Sequence, residues 1–295
     1  MIATYDHQDF PLGLLLERKR AEITVVLPGR EVADTVGPIV ESLLGLSGLI
    51  DQVLVVDAAS DDGTAEAAGA VGAEVRQEAE LLPEFGAVLG KGDAMWRALA
   101  AVQGELIVYL DADTRDFSPH FATGLLGPLV TSPGTQFVKG AYRRPFIKDG
   151  IVLREGGGRV TELTARPLLS AFYPELAGFS QPLAGEVAAR RSLLETIPFA
   201  GGYAVETAML LNVYAAAGLD AMAQVDLDER LNHHQGLFEL GPMAYAVLRA
   251  VIERLRDEGR LAAGPAPPFR AGDGREIDVA WVERPPFASV RSPAA

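Results

Sequence analysis

Three short apolar runs, each ending abruptly in polar residues, constrain this chain more than any other feature. Ile23-Thr24-Val25-Val26-Leu27 runs into Pro28-Gly29-Arg30-Glu31. Gln52-Val53-Leu54-Val55-Val56 runs into Asp57-Ala58-Ala59-Ser60, and Leu106-Ile107-Val108-Tyr109-Leu110 into Asp111-Ala112-Asp113. Runs that are nearly continuous in apolar residues, rather than alternating, belong to strands covered on both faces. Between them lie helical patterns at 34–46, 62–72 and 92–104, and a shorter strand signal at 73–78. This alternation predicts an α/β fold, a Rossmann-like and mostly parallel sheet flanked by helices. Ligands of such sheets bind at the carboxyl ends of the strands, where the polar exits lie.

The second half reads differently. Residues 135–146 are strand-like and basic. A glycine run at 156–158 leads into a helical segment, 203–218 is strongly helical, 220–236 reads as a strand and a polar loop, and 241–259 as an amphipathic helix. The expected organisation is an N-terminal extension (1–21), a first half (22–134), a second half (135–262) and an extended Pro/Ala/Gly-rich tail (263–295).

Bulk properties exclude several function classes. A net charge of −14 argues against a general nucleic-acid binder but leaves room for local anion pockets. With no cysteine, any metal must be held by oxygen or imidazole. No uninterrupted apolar run reaches the roughly 18 residues of a membrane span. The N-terminal stretch lacks the basic-then-apolar pattern of a signal peptide. A cytoplasmic protein, with no membrane partner, is expected.

Asp111 and Asp113 close a buried strand, where like charges repel and carboxylates need a partner. An aspartate at a strand exit can simply cap the next helix. Paired at a carboxyl end beside two other polar exits, these two suit a hard divalent cation, Mg²⁺ or Mn²⁺, shared with phosphate oxygens. The second Asp-x-Asp, Asp226-Leu227-Asp228, reads as surface. Gly86 to Asp93 is not a phosphate-binding P-loop: three residues separate Gly86 from Gly90, and Gly92 stands where Ser or Thr is needed. Lys91 remains either a diphosphate contact opening a helix or a solvated lysine. Gly156-Gly157-Gly158-Arg159-Val160-Thr161 is an anion-binding helix start or a flexible turn, and Tyr142-Arg143-Arg144 is a second basic spot. His233-His234 is the only adjacent histidine pair, and Glu206 reads as a helix N-terminal acid.

Taken in order, these segments resemble the glucosyl- and mannosyl-3-phosphoglycerate synthases, retaining glycosyltransferases of GT-A fold. The resemblance rests on Val25-Val26-Leu27-Pro28, Asp61-Asp62-Gly63-Thr64, Gly90-Lys91-Gly92-Asp93 and the following Ala-Met-Trp-Arg, and Asp111-Ala112-Asp113. It continues through residues 139–145, 156–163, 181–186 and 202–206. It implies that Pro28, Gly29, Arg30, Glu31, Asp57, Ala58 and Ser60 hold the nucleotide, with Lys91 on the diphosphate. Asp113 would bind the metal, with Asp111 and Ala112 nearer the ribose and sugar. Gly158, Arg159, Val160 and Thr161 would hold the acceptor, while the Leu183 carbonyl and Glu206 face the donor sugar.

The chain departs from the family pattern at a metal-binding His followed two residues later by an acceptor-binding Asn. Here Asn232 and His234 occupy those places in reverse, and a one-residue shift offers His233 instead. The expected partners are a nucleotide diphosphate sugar, 3-phosphoglycerate and a second copy of the chain. The competing readings are a sugar-1-phosphate nucleotidyltransferase and a non-catalytic nucleotide-sugar sensor. Neither UDP nor GDP, glucose nor mannose, is selected.

Overall fold

The computed structural model describes residues 1–148, 151–153, 157–230, 236–261, 269–270, 276–277 and 281–290. Its centre is an eight-stranded sheet of strands β1 (Ala3–Asp6), β2 (Ile23–Gly29), β3 (Gln52–Asp57), β4 (Glu74–Gln77), β5 (Leu106–Tyr109), β6 (Phe137–Arg143), β7 (Val187–Arg190) and β8 (Met222–Glu229), in the spatial order β1-β8-β6-β7-β5-β2-β3-β4. Every neighbouring pair is parallel except those made by β7, which runs antiparallel between β5 and β6. The carboxyl ends of all the other strands therefore share one edge.

The apolar runs pack both ways, as their composition demands. Val26, Leu54 and Tyr109 face one layer, with Trp96 and Leu210. Val25, Leu27, Val55 and Val108 face the other, with Ile39 and Leu125. Alternate residues of one strand thus serve two cores. The covering helices are α1 (Leu12–Arg18), α2 (Ala33–Leu44), α3 (Thr64–Ala70), α4 (Lys91–Ala98), α5 (His120–Thr131), α6 (Arg166–Phe172), α7 (Val205–Ala217) and α8 (Leu237–Asp257). Among the described residues no helix is long and apolar enough to cross a membrane.

Both chain ends join this body. Residues 3–6, set apart in the sequence as an extension, are the edge strand paired with β8. In the tail, Trp96 Nε1 donates to the Pro285 carbonyl at 2.9 Å, and Arg284 grips the buried Asp93 at 2.6 Å. Asp93 also accepts from Arg97 at 2.9 Å, so the tail locks α4 from below. The start of α4 is fixed from the side as well: a Cβ at Gly92 would overlap the Ala200 carbonyl oxygen. Only glycine lets the helix approach so closely, and that approach sets the place of Lys91.

Candidate functional site

At the shared carboxyl edge lies a cavity of about 800 Å³. Pro28, Gly29, Arg30 and Glu31 beyond β2 form its first wall, joined by Ala58 beyond β3, and Ala112 and Asp113 beyond β5. The exits of β2 and β3 are tied to one another. The Glu31 N–H donates to Ser60 Oγ at 2.8 Å, and the Asp61 N–H to the Glu31 carboxylate at 2.9 Å. Glu31 and Ala59 both hold left-handed backbone (φ 54°), a strained state for residues with a Cβ that the cross-ties sustain. Asp57 and Ser60 stand behind this wall. Ser60 Oγ donates to the buried Asp57 at 2.6 Å, and Gln77 Nε2 donates to the same carboxylate at 2.8 Å.

The floor is an ion network. Asp111 accepts from Lys91 Nζ at 2.5 Å and from Arg230 at 2.9 Å. Lys91 also pairs with Glu206, in the first turn of α7, at 3.0 Å. Arg230 continues to the buried Glu186, which takes the Tyr142 hydroxyl at 2.8 Å, and the guanidinium lies 5.7 Å from the Tyr142 ring centroid. Burial would raise the Asp111 carboxyl, but Lys91 and Arg230 outweigh it and hold it well below the usual carboxylate range. Burial likewise opposes the charge on Lys91, yet Asp111 and then Glu206 hold it above the ordinary lysine range. Gly185 is part of the same fit, since a Cβ there would collide with Lys91 Nζ and the Asp111 carboxylate.

The opposite wall comes from the second half. Gly158, Arg159, Val160 and Thr161 line the cavity with Arg144, Leu183 and Glu206, and α8 closes it through Leu240, Met243 and Val247. Thr161 opens a π-helical turn, Thr161–Ala165, of the kind that often marks functional sites. Its hydroxyl is buried with no hydrogen-bond partner. Gly157 lies against Arg144, whose carbonyl accepts the Gly157 N–H at 3.1 Å. Gly156, Asn232, His233 and His234 lie outside the described residues.

The cations that neutralise Asp111 are thus the protein's own. Asp113 differs: its side chain is 69% exposed, and its contact with Arg230 is a loose 3.4 Å. A carboxylate left open at the cavity beside two anchored cations fits Mg²⁺ or Mn²⁺, which take one or two carboxylates and complete their shell with phosphate and water. Asp113 is the described residue that would hold such an ion.

Sequence reasoning missed four buried groups. Arg230 lies in no matched segment, and Glu186 closes the matched segment 181–186 without a role assigned to it; their pairing appears only once β7 and β8 are placed. Lys139, on β6, donates to the Ala184 carbonyl at 2.8 Å; burial pulls it down to about 8 although Glu206 and Glu186 oppose the shift. Glu78, just past β4, also lines the cavity, yet neither of its carboxylate oxygens has a hydrogen-bond partner. Burial, then nearby Asp93, pushes it up to about 7 against the pull of Arg97. The position of Glu78 at a fourth strand end was the one available signal.

Residues 24–150 match the model of the glycosyl transferase family 2. The glucosyl-3-phosphoglycerate synthase of Mycolicibacterium smegmatis is 42% identical over 275 residues, covering 91% of this chain and 90% of that one. The chain belongs to the hexosyl-3-phosphoglycerate synthases. Within that family, the solved mannosyl-3-phosphoglycerate synthase of Rubrobacter xylanophilus is 51% identical, with a TM-score of 0.89 over 98% of this chain and 96% of that one. The glucosyl-3-phosphoglycerate synthase of Mycobacterium tuberculosis, solved with Mn²⁺, UDP-glucose and phosphoglyceric acid, is 38% identical, with a TM-score of 0.85 over 98% and 99%. The same mycobacterial enzyme has also been solved with Mg²⁺ and UDP. The GT-A type of sheet expected for a hexosyl-3-phosphoglycerate synthase is the fold observed.

Proposed function

We propose that this chain transfers glucose or mannose from a nucleotide diphosphate sugar to the 2-hydroxyl of 3-phosphoglycerate, with retention of configuration and with Mg²⁺ or Mn²⁺ as cofactor. The observation that carries this reading is the division of labour between the two aspartates. Asp111 is saturated by Lys91 and Arg230, while Asp113 faces the cavity with its carboxylate largely free.

The strand exits Pro28–Glu31 and Ala58 would take the nucleoside, and Lys91, opening α4, the diphosphate. When bound at Asp113, the divalent cation supplies positive charge where the leaving diphosphate gathers negative charge. Arg159 and the unpartnered Thr161 hydroxyl would take the acceptor's anionic groups, with Arg144 adding positive charge beside them. Glu206, held by Lys91 and projecting into the cavity near Leu183, would support positive charge developing on the sugar ring. Its engagement with Lys91 favours this electrostatic part over that of a covalent nucleophile. Attack from the face of the departing diphosphate, with a phosphate oxygen taking the acceptor proton, then gives retention.

The test incubates the chain with 3-phosphoglycerate, Mg²⁺ and each of UDP-glucose, GDP-glucose, UDP-mannose and GDP-mannose. Products are weighed, and the anomeric coupling is read by proton NMR. A hexosyl-phosphoglycerate with the donor's anomeric configuration and free nucleoside diphosphate is expected. Release of pyrophosphate would favour a nucleotidyltransferase instead, and tight donor binding without acceptor-dependent turnover a sensor. We further propose that the enzyme works in the cytoplasm as a homodimer, testable by fractionation and by light scattering.

A further inference from the structure

At the edge of the sheet farthest from β4, the ends of β1 and β8 meet the start of α5 and gather a second cluster of donors. His7 follows β1, Asp228 lies on β8, and His120 opens α5. One ligand atom from each lies within 4.8 Å of the other two. His7 Nε2 stands 3.5 Å from Asp228 Oδ2. In a tetrahedral site with bonds of about 2.1 Å, adjacent donors stand about 3.4 Å apart, so this gap matches two ligands sharing one ion.

The His7 imidazole is also oriented from behind. His7 Nδ1 faces the Asp6 carboxylate at 3.1 Å, the carboxylate–histidine relation that steers metal-ligating histidines. His120 Nδ1 faces Ser118 Oγ at 2.9 Å and its Nε2 the Leu227 carbonyl at 3.2 Å, and the nitrogen that ligates gives up its partner. The two rings lie 4.4 Å apart.

The backbone is bent to present the third donor. The ladder between β8 and β6 shifts register between Asp226 and Glu229, and Asp228 takes left-handed backbone (φ 67°) with its N–H on the Asp226 carboxylate at 2.9 Å. Bulges of this kind re-aim a side chain. The bulge turns Asp228 toward His7 rather than along the strand. On α5, one turn past His120, residue 124 is glycine, and a Cβ there would come within 3.0 Å of the His7 Cβ. The small residue makes room for His7 beside His120. The Asp226-Leu227-Asp228 sequence, which reads as plain surface, is the strand end that carries this arrangement.

We propose that His7, His120 and Asp228 form a second metal site, separate from Asp113, for a borderline transition-metal ion of the Zn²⁺ class. Two imidazoles and one carboxylate suit such an ion better than the hard Mg²⁺. The bound ion would pin the edge strand β1 to β8 and α5, two residues upstream of Arg230 in the donor-site network.

The test uses the full chain stripped of metal, titrated with Zn²⁺ by calorimetry and with Co²⁺ by visible absorption. Wild type, Asp113→Ala and a His233→Ala/His234→Ala double variant are expected to bind one equivalent tightly, with the intense Co²⁺ bands of a tetrahedral site. His120→Gln and Asp228→Asn are expected to bind at least about tenfold more weakly, and Asp6→Asn about tenfold more weakly. Saturating Zn²⁺ should raise the melting temperature of wild type by several degrees and leave that of Asp228→Asn unmoved. Asp228 is exposed and asparagine tolerates its backbone, so this variant keeps the test valid if His120→Gln does not fold. Equal affinity in wild type, His120→Gln and Asp228→Asn would overturn the site, as would the absence of tight binding in wild type.

Discussion

On the side of β2 and β3 the cleft is walled by backbone that fastens itself. Glu31 and Ser60 lock two strand exits together, and Asp57 and Gln77 brace them from behind. On the side of Gly158 and Thr161 the wall is a π-helical turn whose Thr161 hydroxyl is buried with no hydrogen-bond partner. The first wall is braced by its own contacts; the second leaves the Thr161 hydroxyl for the proposed acceptor. Between them, Asp111 with Lys91, Arg230 and Glu186 forms a floor whose charges are already matched. Under the proposed function, such a cleft would hold the donor against a preformed surface and leave the acceptor to the wall that carries Thr161.

The largest expected effect breaks the floor. Arg230→Ala strands Glu186 and Asp111 without their common cation, and losing one partner of a buried pair costs about 3–5 kcal/mol. Urea denaturation should show a loss of that order. A variant as stable as wild type would mean that the network is not the scaffold of the cleft. Next comes Gly92→Ala, in which the added methyl meets the Ala200 carbonyl. Overpacking of this kind costs about 1–3 kcal/mol, and because the shift displaces Lys91, the KM for the donor should rise along with the loss of stability.

A third variant tests the other wall. Arg159→Ala removes a charge-assisted contact worth about 1.5–3 kcal/mol, so the KM for 3-phosphoglycerate should rise about tenfold to a hundredfold while the donor KM stays put. Equal increases for both substrates would erase the distinction between the walls. The smallest effect concerns Glu78. Burial pushes its carboxyl up to about 7 from the ordinary 4.5. Between those values the native state binds the extra proton, so stability falls as pH rises through that window. Glu78→Gln, which carries no charge, should therefore gain melting temperature relative to wild type as the buffer moves from pH 5.5 to pH 8. A constant difference across that range would show that Glu78 does not titrate there.

What the sequence discloses follows the same division. The three apolar runs and their polar exits are local features, and they appear in the structure as β2, β3 and β5. The strand β7 hid because Val187-Ala188-Ala189-Arg190 is short and alanine-rich; its place between β5 and β6 is set by packing rather than propensity. Arg230 hid for another reason. It meets Asp111 across 119 residues, and no spacing rule links them. The helical pattern at 92–104 stops at Ala98 because the chain must turn to enter β5. The Pro-rich tail reads as extended, yet Arg284 is buried on Asp93, a charge pairing that composition cannot show.

The central claim is that the unsaturated carboxylate of Asp113, and not the saturated Asp111, brings the divalent cation to the sugar nucleotide. The direct measurement is product formation from 3-phosphoglycerate and each donor across a Mn²⁺ titration, read by mass, in wild type and in Asp113→Ala. The account predicts product in wild type only when Mn²⁺ or Mg²⁺ is present. It predicts none in the variant at any Mn²⁺ concentration, although the variant melts like wild type. Full turnover by Asp113→Ala in the presence of a chelator would contradict it.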